Sequence, residues 1–462
     1  MSNPGTTNSA PIENRAQLVE VLMRGNKPQR QWRIGTEHEK FGFVRPDMAE
    51  GRTPYAPPPY MPRGIGALLE ALSGPDWEPI YDGEAVIGLK GANTHKGCSI
   101  SLEPAGQFEL SGAPLETLHE TDQEMRAHFD LIRGPVKELG LGFVPVGFQP
   151  LWGRGDMPWM PKSRYAIMRR YMPTVGALGL DMMTRSSTVQ VNLDFSDEAD
   201  MARKMRVSLA LQPLVSALMA NSPFVEGKAN GYLSNRCRIW TDTDNARAGQ
   251  PPLFFADDFS FERYVDWVLD VPMYFVVRDG KNVDVAGASF RRWLENGEVP
   301  EGLKAYPDQT PTIGDFEDHL TTAFPDVRLK QFLEMRGADA GSPQMMVAHS
   351  ALWVGLLYDP ATLEAAERLV RELDWGVYQQ LRADVPKLAM DAPFPGALRA
   401  LARRVLALAE QGLRARARDE AQFLAPLQAI ADGGPTQAEH WLALYKGAWG
   451  GDVRPIFQHA EV

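Results

Sequence analysis

Two glutamates in residues 32–44 (WRIGTEHEKFGFV), Glu37 and Glu39, are the first whose type and spacing could do chemistry. In an extended chain successive side chains point to opposite faces, so Arg33, Gly35, Glu37 and Glu39 share one face. The two carboxylates then lie about 7 Å apart, and each opposes ionisation of the other unless a cation lies beside them. Hard divalent cations such as Mg2+ prefer such oxygens. The plain alternative is a solvated strand edge with salt-bridged charges.

More acids follow. In residues 97–110 (GCSISLEPAGQFEL), Glu103, Gln107 and Glu109 have one parity, and Pro104 and Gly106 predict a bulge or break among them. Residues 187–195 (STVQVNLDF) alternate strictly, with Val189, Val191, Leu193 and Phe195 against Thr188, Gln190, Asn192 and Asp194. That pattern predicts a half-buried strand whose polar face is either solvated or lines a wet cleft. Residues 327–336 (VRLKQFLEMR) read as a strand in which Lys330, Phe332, Glu334 and Arg336 share parity. Glu334 and Arg336 there form either a lateral salt bridge or a metal ligand beside a phosphate clamp. Arg164 falls in a predicted helix, 163–171, while Arg236 and Arg238 stand near Trp240 in a loop-rich stretch. A guanidinium fork beside an aromatic ring suits a carboxylate or phosphate, or a surface stacking pair. Tyr274 lies in a predicted strand, 271–278.

These segments need elements to hold them. Helical spacing predicts helices over 14–24, 65–72, 114–139, 197–221 and 259–269, and Pro and Gly make 47–63 a loop. From about residue 344 the chain turns helical, clearest at 363–373, 398–413 and 437–444, and is expected to cover the apolar side of a sheet. Residues 1–13 are expected to be flexible and 14–462 to form a single catalytic domain.

Composition narrows the classes. With 462 residues, 44% hydrophobic and 23% charged, a large core is available. The net charge of -11 argues against nucleic acid as a partner, although a local basic pocket could still take an anionic nucleotide. Two cysteines, Cys98 and Cys237, are too few for a disulfide framework, so free thiols are expected. The N-terminus is polar and no apolar run reaches the ~18 residues of a membrane span, so no membrane partner and a cytoplasmic location are expected. The chain has no G-x-x-x-x-G-K-[ST], Rossmann fingerprint, H-E-x-x-H, G-x-S-x-G or C-x-x-C. A bound nucleotide would therefore need metal ions and arginines at its phosphates.

Several strings, among them RIGTEHEKFGF, GCSISLEPAGQFELSGAPLETLHET, MPKSRYAIMRRYMPTVGALGLDMM, STVQVNLDFS and VRLKQFLEMRGAD, resemble glutamate-cysteine ligases of the plant and proteobacterial type. The resemblance runs in order from Arg33 to near the C-terminus. It implies an α+β, glutamine-synthetase-like catalytic fold, with a curved, mainly antiparallel sheet forming a funnel and helices packed outside. It further implies that Glu37, Glu39, Glu103, Glu109 and Glu334 bind two or three Mg2+ ions, with Gln190 at the same site. Arg336 looks like the arginine that meets the nucleotide phosphates and, with Glu37 and Glu39, carries the chemistry. Arg164, Arg236 and Tyr274 match the positions that contact the amino-acid substrates, and Thr188 and Asn192 fall beside them. Asp122, Val285 and Pro300 stand near the places of the regulatory cysteines of plant members, so plant-type thiol switching is not expected. A plastid transit peptide is likewise not expected.

The implied reaction is ATP-dependent ligation of the glutamate γ-carboxylate to the cysteine amine through γ-glutamyl phosphate, the first step of glutathione biosynthesis. The implied partners are glutamate, cysteine and ATP, on a monomer or weak homodimer. Two rivals stand beside it: a related carboxylate-amine ligase with another amine, and a non-catalytic nucleotide or amino-acid sensor on the same fold.

Overall fold

The computed structural model describes residues 9–462, and its centre is a nine-stranded sheet. The strands are β1 (Ile34–Val44), β2 (Trp77–Asp82), β3 (Ala85–Gly91), β4 (Ser99–Leu102), β5 (Phe108–Ser111), β6 (Leu141–Val144), β7 (Thr188–Leu193), β8 (Val327–Leu329) and β9 (Leu333–Asp339). They lie in the order β8-β9-β7-β1-β5-β4-β3-β2, with β6 also paired to β1, and every pairing is antiparallel. The eleven-residue β1 is the middle of the sheet: it bonds β7 on one side and β5, then β6, on the other.

Helices cover the apolar face. The helix α1 (Leu118–Glu138) opens with a capping box, Thr117 bonding the Glu120 amide and Glu120 reaching back. It packs on β1 and β6, α3 (Glu198–Leu218) on β9, and α5 (Pro343–Leu357) on β7 and β1, while α2 (Ser163–Tyr171) carries Arg164. The strict alternation of residues 187–195 is realised in β7, where Val189, Val191 and Leu193 are fully buried against these helices. Polar groups are enclosed on this side too, Lys40 among them. Lys40 is buried among the rings of Phe108, Phe129 and Phe143, at 5.2, 5.6 and 5.9 Å, and donates to the Phe108 carbonyl at 3.2 Å. Burial pushes it down to about 7, against the pull of Glu109 and Glu39.

The structure departs from the sequence reading in places. Residues 327–336 are not one strand but a hairpin: β8 turns at Lys330–Phe332 and returns as β9, so Arg328 lies directly opposite Glu334. Residues 97–110 also fold as a hairpin, β4 and β5, around the expected break, where Gly106 takes φ +82°. The strand predicted over 271–278 is shorter, Phe275–Arg278, starts after Tyr274 and pairs outside the main sheet. β2 had no counterpart in the reading. Of the segment expected to be free, residues 1–8 lie outside the described residues, while Pro11 bridges Thr312 and the Ile12 amide donates to the Pro311 carbonyl. No helix among the described residues is long and apolar enough to cross a membrane.

Candidate active site

The polar face of the sheet gathers most of the candidate residues, and strand register explains why. Residues directly opposite across strands put their side chains on one face, about 4.5–5.5 Å apart at Cβ. Glu39 stands opposite Glu109, Glu37 opposite both Gln190 and Ser111, Asn192 opposite Gly35 and Glu334, and Glu334 opposite Arg328. Glu103 closes the row at the β4–β5 turn, its amide bonded to the Gln107 carbonyl. A cavity lies against this face, lined by Glu39, Glu103, Gln107, Thr188, Gln190, Arg236, Trp240, Phe324 and Arg336 with Met168, Met182 and Met183.

The acids fall into two groups that differ in their neighbours. In the first, burial and then Glu103 and Glu109 hold the Glu39 carboxyl well above the usual range. Burial, with Glu109 adding to it, raises Glu103 as well. Glu109 accepts from the Ser111 hydroxyl at 2.7 Å. Lys162 is buried near these acids; burial and then Arg164 push it down to about 7, while Glu103 and Glu109 oppose the shift. In the second group, Glu37 accepts from the Asn192 amide at 2.7 Å. The Glu334 carboxylate, 1% exposed, is held well below the usual range. Burial opposes that shift, but Arg328, Lys330 and Arg336 prevail. Glu334 thus forms the lateral salt bridge weighed above, at 2.8 Å to Arg336, with the Arg328 pair added to it.

Arg336 sits at a bulge in β9, where it donates from one Nη to both Gln190 and Glu334 at 2.8 Å. Arg236 rides on the short helix α4 (Asn235–Ile239), capped by Ser234, and bonds the Arg336 carbonyl at 2.9 Å. A buried carboxylate ties this corner together: Asp339 accepts from the Ser222 and Ser234 hydroxyls at 2.7 and 2.8 Å and from the Asn221 amide. Ser222 in turn accepts from the Arg236 amide at 3.2 Å.

Three candidates are engaged by other residues of the chain. The Thr188 hydroxyl donates to the Ala338 carbonyl at 2.7 Å, and its amide donates to Glu39 at 3.1 Å, so it orients an acid. Asn192 does the same for Glu37. Tyr274 is 0% exposed, with its hydroxyl 3.3 Å from Asp244 and Arg247 stacked on its ring at 3.7 Å. It packs behind Phe324 and does not line the cavity. Arg164 is buried near Lys162, and its charge reaches Glu103. The sequence reading missed Lys162, Arg328, Phe324 and Asp339. Only the proximity of Lys162 to Arg164 in the chain hinted at any of them.

For a divalent cation the first group fits in donor chemistry: Glu39 and Glu103 are carboxyls raised by burial and by their acidic neighbours, a strain that a dication relieves. Among the described residues no three such donors close around one point. An ion would thus draw Glu39, Glu103 and Glu109 together, while Glu334 would have to share its oxygens with arginine.

Comparison with known proteins now adds to the geometry. Residues 33–459 match the family model of glutamate-cysteine ligase family 2. The glutamate-cysteine ligase of Solanum lycopersicum is 51% identical over 96% of this chain and 81% of its own, and that of Nicotiana tabacum 50% over the same shares. The crystal structure of a glutamate-cysteine ligase from Francisella tularensis in complex with AMP superposes with a TM-score of 0.53 at 12% identity, covering 93% of this chain and 89% of that one. This likeness carries the expected fold, an α+β, glutamine-synthetase-like sheet with helices outside. One expectation is overturned: both plant relatives are named chloroplastic, which contradicts the cytoplasmic location read from the polar N-terminus. With the match spanning nearly all of its length, the chain belongs to glutamate-cysteine ligase family 2.

Proposed function

We propose that the polar face of the sheet carries out the ATP-dependent ligation of L-glutamate to L-cysteine, with the acids and arginines in the following roles. A γ-carboxylate oxygen of glutamate attacks the γ-phosphorus of ATP and the bond to the bridging oxygen breaks, giving γ-glutamyl phosphate and ADP. The cysteine amine then attacks the carbonyl carbon of the γ-glutamyl phosphate, phosphate leaves and the amine gives up its proton. The activation is needed because a carboxylate is a poor acyl donor. Glu39, Glu103 and Glu109 would hold Mg2+, with Glu37 completing a set of two or three ions; bound there, Mg2+ supplies positive charge to the transferring phosphoryl group. Arg336 stabilises the negative charge of the same phosphoryl group from the β9 bulge. Arg236, aimed into the cavity beside Trp240, binds a substrate carboxylate through its fork. Burial of the cavity floor limits hydrolysis of the acyl phosphate.

The observation that carries the reading is that Glu39, paired across the strands with Glu109, lines one cavity together with Glu103, Arg336 and Arg236. The test is ADP release with glutamate, cysteine, ATP and Mg2+, each omitted in turn. Release that needs all four supports it. Release that is equal or faster with 2-aminobutyrate or another amine in place of cysteine favours a sister ligase, and no release with saturating substrates a sensor.

A further inference from the structure

The corner around Glu334 carries more positive charge than its acids can use. Within 4 Å of this one carboxylate stand Arg328 at 2.6 Å, Arg336 at 2.8 Å and Lys330 at 3.8 Å. Glu37 is the second acid whose charge reaches them, which leaves one positive charge over. The three cations are not equivalent. Arg328 is 1% exposed and fully committed: Nε and Nη2 grip both Glu334 oxygens at 2.6 and 2.9 Å, and Nη1 donates to the Thr321 and Ala323 carbonyls. Such a two-point fork is the strong form of this pair. Arg336 and Lys330 are 14% and 19% exposed, and neither closes a fork on Glu334: Arg336 gives it a single Nη, and Lys330 stands beyond hydrogen-bond distance.

We propose that Arg328 holds Glu334 permanently as a positioning residue, and that Arg336 and Lys330 are exchangeable cations that turn from Glu334 to the phosphates of the nucleotide. Glu334 then parks the two side chains while the site is empty, at the place where the phosphates arrive. With the fork of Arg328 in place, Glu334 keeps a strong partner after the other two leave, so no buried charge is stranded. Lys330 becomes a second phosphate contact beside Arg336. The inference deepens the functional reading above and rests on it.

Titration calorimetry of ADP into the whole chain, with Mg2+ present, separates the two. For Lys330→Gln, loss of a charge-assisted bond should weaken ADP by roughly 10- to 100-fold, with glutamate affinity unchanged. In turnover the same variant should raise KM for ATP and leave KM for glutamate alone. Arg328→Lys keeps the charge but loses the fork; a loosened Glu334 should then raise KM for ATP as well, with the melting temperature reporting any loss of fold. Wild-type protein that binds no ADP overturns the functional reading and this inference with it. Wild-type binding that Lys330→Gln reproduces in full overturns this inference alone.

Discussion

Replacing Glu39 by glutamine should make the metal-free protein more stable and the enzyme nearly inactive. The amide is isosteric and keeps an oxygen for the Thr188 N–H, which lies 3.1 Å from Glu39 Oε2, so the strand contact survives. What goes is a carboxyl whose ionisation is opposed by burial, Glu103 and Glu109. Removing such a poorly compensated buried charge is worth roughly 1–3 kcal/mol. Unfolding entropy of about 2.1 cal/mol/K per residue makes 1 °C equivalent to nearly 1 kcal/mol for a chain this long, so melting without divalent ion should rise by roughly 1–3 °C. Saturating Mg2+ should reverse the order, because a ligand bound only by the folded state stabilises by RT ln(1 + [L]/Kd), and the variant, having lost a ligand oxygen, has the larger Kd. Turnover should fall by at least about 10²- to 10³-fold, the usual scale for losing one group that neutralises transition-state charge. Melting curves with and without Mg2+, beside an ADP-release assay, read all three. A lower metal-free melting temperature would refute the repulsion, and near-normal turnover would refute the metal role.

Other perturbations probe the support beneath the site. Lys40→Met should stabilise the fold at pH 7: moving a lysine from 10.5 to about 7 on burial costs roughly 4 kcal/mol there, and the ring and carbonyl contacts return only part of it. Since the folded state binds fewer protons than the unfolded state between pH 7 and 10.5, wild-type stability rises with pH in that window, and the advantage of Lys40→Met should shrink towards pH 10 in denaturant melts; a pH-independent difference would contradict it. Asp339→Asn puts an amide against three donors, so it should cost about 1–3 kcal/mol and raise KM for an amino-acid substrate through Arg236 more than it raises KM for ATP. Equal effects on all substrates would show a merely structural role.

Much of this site was legible because a strand writes its faces into the sequence with period two. The parity of Glu37 with Glu39 and of Gln190 with Asn192 survives into the sheet, and one register then brings β1, β5 and β7 together, whereas Glu103 lies past the end of β4 at the break that made its side unreadable. The β8–β9 hairpin was not legible, since LKQF holds no glycine, proline, asparagine or aspartate to mark a turn. With that turn unseen, Arg328 had no reason to meet Glu334, and the three-cation corner stayed hidden. Tyr274 failed differently: parity says which side of a strand a residue takes, and it lies just before its strand, where Arg247 and Asp244 claim it. The helix α5 offers no amphipathic stripe because nearly every side of it is buried, so only its helical character was readable.

The central claim is that carboxylates on the polar face of the sheet hold the ions that make ATP reactive. Crystals grown with ADP and Mn2+ in place of Mg2+ would test it by anomalous scattering. The expected result is one or more Mn2+ peaks at roughly 2.0–2.3 Å from oxygens of Glu39, Glu103 and Glu109, with ADP phosphate oxygens completing the shell. ADP bound with its Mn2+ held only by phosphate and water, away from those glutamates, would contradict it.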